Sequence, residues 1–107
     1  MKNTSSFIIL LFSLILSSQL TLNAKTIEEK DLGCITLLQL ASEKSKENEE
    51  MVKYEKLKKL QKSFLNKYEK NYFSKESTQL QYEKHNLKVE EKGQRYVNKG
   101  LQKCGLK

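Results

Sequence analysis

The sequence contains no proline and no tryptophan, and it has one histidine, His85, and two cysteines, Cys34 and Cys104. Proline is the residue that most strongly interrupts a helix, so its absence leaves long helices unopposed. One histidine and two distant cysteines supply neither the four ligands of a zinc site nor the Cys-x-x-Cys pair of redox proteins. We therefore expect no metal site and no cofactor.

A catalytic constellation is also missing. His85 is the only residue of the type that most often acts as a general base near neutral pH. It lies in the polar segment 82–86, where we expect it to face solvent. The neighbouring carboxylates Glu49–Glu50 and Glu90–Glu91 point to different faces of a helix, and no glycine-rich loop indicates phosphate binding. We therefore expect that the protein is not an enzyme.

Acidic residues are absent from the first 24 positions, which start with Met1-Lys2 and continue into the apolar run FIILLFSLIL at 7–16. A positively charged start, an apolar central region and a small residue at the cleavage site are the parts of a secretory signal peptide. We predict that residues 1–24 are a signal peptide cleaved after Ala24, or nearby after Ser18. The alternative is an uncleaved anchor, although the apolar stretch is shorter than the roughly 20 residues that span a bilayer.

Removal of the signal leaves residues 25–107, which we predict to be one small all-helical domain. All 13 acidic residues belong to it, and only one lysine is lost with the signal, so the net charge falls from +7 to +6. A domain of this size buries only about 60% of its unfolded surface and is marginally stable without a further constraint. The predicted location is secreted or periplasmic.

Cys34 and Cys104 provide such a constraint. An exported protein meets an oxidising compartment, where a disulfide persists, and two cysteines permit one intramolecular pairing. We predict a structural disulfide between them. Because the enclosed loop is roughly 70 residues long, the bond is worth about 4 kcal/mol on the loop-entropy model. An intermolecular bridge, a redox-active pair and a metal site are the alternatives.

The mature chain begins with a helix signal. Thr26 followed by Glu29 forms a capping box, which predicts a helix start. Apolar residues then recur at helical spacing, at Ile27, Cys34, Ile35, Leu38 and Ala41. The polar segment 42–50 is interpreted either as a turn between helices or as an exposed stretch of one long helix.

The segment Met51–Phe73 has the clearest amphipathic pattern. Its apolar face consists of Tyr54, Leu57, Leu60, Phe64, Tyr68 and Tyr72. Ser74, Ser77 and Thr78 are candidate caps for a last helix that extends to Cys104. The sequence Cys104-Gly105-Leu106 predicts a Schellman ending, in which Leu106 folds back on Leu101.

Gly93 and Gly100 lie seven residues apart on the apolar line of that last helix. Glycine costs about 1 kcal/mol against alanine inside a helix, so two on one line call for an explanation. One explanation is close approach of another helix, or a groove that admits a partner. The other explanation is a kink in the helix, or that the two glycines have no particular role.

The predicted fold is all-α: a disulfide-clamped helical hairpin or an irregular three-helix array. A strict up-down-up bundle is disfavoured, because helical rise would place Cys34 about 12 Å and Cys104 about 40 Å along the bundle axis. A disulfide joins Cα atoms at less than about 7 Å. The cysteines meet if the first two segments form one long helix, or if the first helix crosses obliquely.

The candidate binding residues are basic. They lie in the segment 53–70 and are Lys53, Lys56, Lys59, Lys62, Lys67 and Lys70. No acidic residue occurs between Lys56 and Tyr68. A basic amphipathic helix binds acidic partners or anionic surfaces. The alternative interpretation is an ordinary solvated helix face supported by i,i+4 ion pairs.

These features predict an exported, non-enzymatic binding protein of the inhibitor, immunity or adaptor type. We expect its partner to be an acidic protein or an anionic component of the cell envelope, bound by a basic, tyrosine-containing helical surface. We expect no nucleic-acid partner, because of the exported location, and membrane contact only through the signal peptide. A secreted effector or membrane-active helical peptide is the alternative function.

Overall fold

A computed structural model describes residues 26–107, and these residues form four α-helices and no β-strand. The helices are α1 (Ile27–Glu47), α2 (Met51–Leu65), α3 (Lys75–Lys92) and α4 (Gln94–Lys103). The all-α prediction is confirmed, although the described residues contain one helix more than the three-helix alternative. The predicted signal peptide, residues 1–24, lies outside the described residues.

Two helices begin at the hydroxyl residues that the sequence offers. The Thr26 hydroxyl accepts a hydrogen bond from the N–H of Glu29 at 3.2 Å at the start of α1. The Ser74 hydroxyl accepts one from the N–H of Ser77 at 3.0 Å at the start of α3. Each bond satisfies one of the N–H groups that a helix start leaves without a partner. Thr78 lies inside α3 and caps nothing.

Helix α1 is central, because α2, α3 and α4 all pack against it. Among these three helices, only α3 and α4 also pack closely against each other. Its buried side chains consequently lie on nearly every side. The apolar ones are Ile35, Leu37, Leu38, Leu40 and Ala41, and the polar ones include Thr36, Ser42 and Ser45. Part of the polar segment 42–50 is therefore buried helix, and the turn between α1 and α2 is confined to residues 48–50.

Helices α1 and α2 form an antiparallel pair around this turn. A polar network joins them in the middle: Lys58 Nζ donates to Gln39 Oε1 at 2.8 Å and to Gln61 Oε1 at 3.1 Å. Gln61 Nε2 donates in turn to the carbonyl oxygen of Ile35 at 3.0 Å. Gln61 is buried, and the network supplies the partners that a buried amide requires.

Helix α2 ends at Leu65, although the amphipathic pattern of the sequence continues to Phe73. The aromatic residues beyond it leave the helical path and pack on one another in the 66–74 loop, where the rings of Tyr68, Tyr72 and Phe73 lie 4.8–5.0 Å apart. Tyr68 also donates its hydroxyl hydrogen to Asp31 on α1. These contacts, which periodicity does not reveal, replace the helical ones.

Gly93 divides the predicted last helix into α3 and α4. Its φ of 73° and ψ of −161° lie in a region that glycine reaches without steric cost. The break redirects the chain, so that α4 runs antiparallel to α1. Cys104 then lies opposite Cys34 at a Cα–Cα distance of 5.7 Å, and the two form a disulfide. The predicted disulfide is confirmed, and the kink at Gly93 is what makes it geometrically accessible.

The end of α4 is the predicted Schellman motif. The N–H of Leu106 donates to the carbonyl of Leu101 at 3.0 Å, and the N–H of Gly105 donates to that of Gln102 at 3.0 Å. Gly105 has a φ of 100°, which suits glycine. Leu106 packs against the hydrophobic core beside Leu101. The last turn is thus held by a disulfide, two hydrogen bonds and an apolar contact.

Candidate functional site

The six lysines of the candidate basic surface are all exposed, but they do not form one face. Lys67 and Lys70 lie in the 66–74 loop, beyond the end of α2. The other four lie on α2 at intervals of three residues, and each interval falls about 60° short of a full turn around the helix axis. They therefore wind around about half of the helix, from the edge nearest α1 to the side turned away from it.

Three of the six make contacts within the protein. Lys53 Nζ lies 4.0 Å from a carboxylate oxygen of Glu50, and Lys56 Nζ donates to the carbonyl oxygen of Lys107 at 2.5 Å. Lys67 Nζ lies 3.7 Å from Asp31 and 4.9 Å from the centre of a phenylalanine ring. These lysines stabilise the fold or its loops and are less available to a partner.

Lys59 and Lys62 remain on the side of α2 away from α1, and we call this pair the α2 basic face. No carboxylate of the described residues lies within 4 Å of either ammonium group. Glu55, four residues before Lys59 on α2, does not form an ion pair with it at that distance. The α2 basic face is consequently an uncompensated charge on a helix whose opposite side is fixed to α1.

A second basic region involves α1, α3 and α4. A groove of about 1110 Å³ runs between the first half of α1, α3 and α4, and we call it the α4 groove. Its floor includes Gly33, Leu37, Gly100 and the disulfide. Its rim carries Lys30, Lys92, Arg95, Lys99 and Lys103, against the single carboxylate of Glu29.

Three of these cations form a row on α4. Arg95, Lys99 and Lys103 are spaced by four residues, so they lie along one side of the helix over about 12 Å. All three are exposed, and no carboxylate of the described part of the chain lies within 4 Å of them. The hydrophobic periodicity of the sequence does not reveal this row. The available signal was the segment 92–107, which has five basic residues and no acidic one.

Gly100 lets α4 approach α1 closely enough to form the floor of the groove. A Cβ atom added at Gly100 would lie 2.3 Å from Cδ2 of Leu37, which is itself buried. The α4 backbone at Gly100 therefore packs directly on the Leu37 side chain and leaves no room for a side chain of its own. The two glycines of the last helix therefore have different roles: close approach at Gly100 and a helix break at Gly93.

His85 is buried at the back of the groove with 7% of its surface exposed, so the prediction that it faces solvent was wrong. Its Nε2 lies 2.8 Å from the carbonyl oxygen of Gly33, and its Nδ1 lies 2.7 Å from the hydroxyl oxygen of Tyr96. Because a carbonyl only accepts, Nε2 carries a hydrogen and donates, and in the neutral ring Nδ1 accepts from Tyr96. His85 thus joins α3 to both α1 and α4.

The sequence position of His85 contains the signal that identifies it as buried. It follows Tyr82 by three residues and precedes Val89 by four, which places all three on the side of α3 that faces α1. The residues next to it in the sequence, Glu83, Lys84 and Asn86, are polar and obscure this pattern.

The tyrosines are largely occupied by contacts within the protein. The Tyr82 hydroxyl donates to Glu43 of α1, and this bond raises the pKa of Tyr82 to about 12 and lowers that of Glu43. The bond to Asp31 likewise raises the pKa of Tyr68 to about 12. Burial raises the pKa of Tyr96. Tyr72, with 55% of its surface exposed, is the tyrosine most accessible to a partner among the described residues.

Residues 26–107 contain no group of three or more histidine, cysteine, aspartate or glutamate residues arranged to hold a metal ion. Within the same range, no helix has the length and apolar character needed to cross a lipid bilayer.

No known protein family, curated protein or solved structure is significantly similar to this chain.

Proposed function

We propose that this protein is an exported, non-enzymatic binding protein of the inhibitor, immunity or adaptor type, which captures an acidic protein or an anionic envelope polymer. The observation that carries the proposal is the uncompensated charge of Lys59 and Lys62 on a helix fixed to the rest of the fold. The disulfide is compatible with an oxidising compartment. The secreted or periplasmic location follows from the proposed signal peptide at residues 1–24.

The position of the α2 basic face supports this function. Exposed ion pairs within one protein contribute little to its stability, so lysines without a partner carry no evident structural role. Charges of one sign instead accelerate encounter with a partner of opposite sign and raise its selectivity. The exposed Tyr72, in the loop that follows α2, adds an aromatic side chain of the kind that anchors interfaces.

The test is affinity capture of exported host proteins by the oxidised mature chain, with the bound proteins identified by mass spectrometry. A double variant, Lys59→Glu with Lys62→Glu, should lose an acidic partner that the unmodified protein retains. The matched control is Lys75→Glu with Lys84→Glu, which makes the same change in net charge on exposed positions of α3. Equal capture by all three proteins, or equal loss in both variants, would contradict the role of the α2 basic face.

The alternative, a membrane-active helical peptide, is favoured by one observation. Met51 and Val52 at the start of α2 are exposed apolar residues directly followed by lysine. It predicts that the mature chain at micromolar concentration releases dye from vesicles rich in anionic lipid but not from zwitterionic ones. Intact anionic vesicles would exclude this function in favour of protein or polymer binding.

A further inference from the structure

We propose that the α4 groove is a second binding site, and that its ligand is an acidic α-helical segment of another protein. The site is separate from the α2 basic face, and it goes beyond the function proposed above because it does not require that face to bind. The proposal depends on three properties of the groove: its charge, the spacing of that charge, and its rigid, partly apolar floor.

The charge of the groove is strongly one-sided. Five cations stand on its rim against the carboxylate of Glu29, and none of the five has a carboxylate within 4 Å in the described part of the chain. Residues 1–25 contain no acidic side chain that would change this balance. The complementary ligand is therefore anionic.

The spacing of the charge matches a helix. Arg95, Lys99 and Lys103 lie about 6 Å apart along α4, since four residues of helix rise by 6 Å. Acidic side chains at every fourth residue of a partner helix have the same repeat and lie on one side of it. A helix lying along α4 in either direction would bring each of its carboxylates near one cation of the row.

The floor of the groove favours a peptide over a sugar or phosphate polymer. Leu37, the disulfide and the bare backbone of Gly33 and Gly100 form a partly apolar surface between the cations. An amphipathic helix has apolar side chains to place on such a surface, whereas a sulfated or phosphorylated polymer has none. The volume of about 1110 Å³ is also slightly above the range of about 300–1,000 Å³ typical of small-molecule sites.

The groove is formed before any ligand binds. The disulfide, the Schellman motif and the His85 hydrogen bonds hold α4 against α1 and α3. A preformed site loses little binding free energy to ordering of its residues, which favours a high affinity.

The test uses a synthetic, alanine-based helical peptide with glutamate at every fourth position and leucine beside each glutamate, and it measures binding to the oxidised mature chain by calorimetry or fluorescence anisotropy. Binding is expected, with an affinity that falls as salt rises. A matching peptide with glutamine at the glutamate positions should bind about tenfold more weakly, because three exposed ion pairs are lost.

Variants of the row localise the site. The triple change Arg95→Gln, Lys99→Gln and Lys103→Gln should weaken binding of the glutamate peptide about tenfold. The triple change Lys59→Gln, Lys62→Gln and Lys70→Gln, which removes the same net charge, should leave it unchanged. Glutamine is a good helix former, and the helical circular dichroism of each variant verifies that the fold is retained.

Several outcomes would overturn the proposal. Equal weakening in both triple variants would show attraction by net charge without a site. Binding of a sulfated oligosaccharide or of inorganic triphosphate in preference to the glutamate peptide would assign the groove to a different ligand class. A homodimer that dissociates in the row variant would show that a second copy of this chain occupies the groove. The capture experiment with the glutamate variants of Lys59 and Lys62 tests the α2 basic face separately.

Discussion

Removing the disulfide is the perturbation whose consequence the structure defines best. Replacing both Cys34 and Cys104 by alanine deletes the bond that joins the last turn of α4 to the first half of α1. The cysteines are 70 positions apart, so the enclosed loop contains all of α2, α3 and α4. Almost the whole of the described chain is therefore constrained by this one bond in the unfolded state.

The expected loss follows from the size of the loop. For a loop of this length the chain-entropy relation gives about 4 kcal/mol of stabilisation at 25 °C. Small domains have total unfolding free energies of about 5–15 kcal/mol. The double-alanine variant should therefore lose a large share of its stability.

Urea unfolding, followed by helical circular dichroism, measures the effect. With a slope of about 1 kcal/mol per molar urea, which is ordinary for a small domain, the midpoint should fall by about 4 M. Wild-type protein treated with a thiol reductant serves as a control, because it keeps both sulfur atoms and should behave like the variant.

An unfolding free energy within about 1 kcal/mol of that of the oxidised wild type, for both the variant and the reduced protein, would contradict this expectation. That outcome would mean either that the unfolded chain is already compact around the two cysteines, or that α4 is not held mainly by the bond.

Two further predictions concern stability. Gly100→Ala should destabilise the protein by about 1 kcal/mol although alanine has the better helix propensity, because its Cβ would overlap buried Leu37. Gly33→Ala should stabilise the protein by about 0.5–1 kcal/mol, because its Cβ would meet only an amide nitrogen at 3.6 Å. Thermal unfolding compares the two variants. Tyr82→Phe should cost about 0.5 kcal/mol, since its bond to Glu43 is largely solvent-exposed. Because the pKa of Tyr82 is raised to about 12 and that of Glu43 is lowered, this contribution is lost as the pH rises from about 10 towards 12 or falls through the lowered pKa of Glu43. A cost for Tyr82→Phe that did not change with pH would show that packing, not the hydrogen bond, is responsible.

Local signals in the sequence were reliable where the contact that decides the structure is itself local. The hydroxyl of Thr26 caps α1 through a residue three positions away, and Gly105 ends α4 through its immediate neighbours. The pairing of Cys34 with Cys104 was accessible for a different reason, because only two cysteines are present.

Other features depend on contacts between distant parts of the chain, and periodicity misplaced them. The aromatic residues after Leu65 continue the helical spacing of α2 in the sequence. In the structure they leave the helix and contact α1 and one another. His85 has polar neighbours in sequence but lies against Gly33, 52 residues away. The basic face predicted at 53–70 was divided by the end of α2 and by the ion pair of Lys67 with α1.

The sequence by itself determined the helical class, the starts of α1 and α3, the end of α4 and the disulfide partners, because each depends on backbone chemistry within a few residues or on simple enumeration. The tertiary structure alone decided that α1 is central, that the break at Gly93 turns α4 back along it, and that Gly100 allows their close approach. These arrangements create the α4 groove. Its cations come from three helices, and only their packing around α1 brings them to one rim.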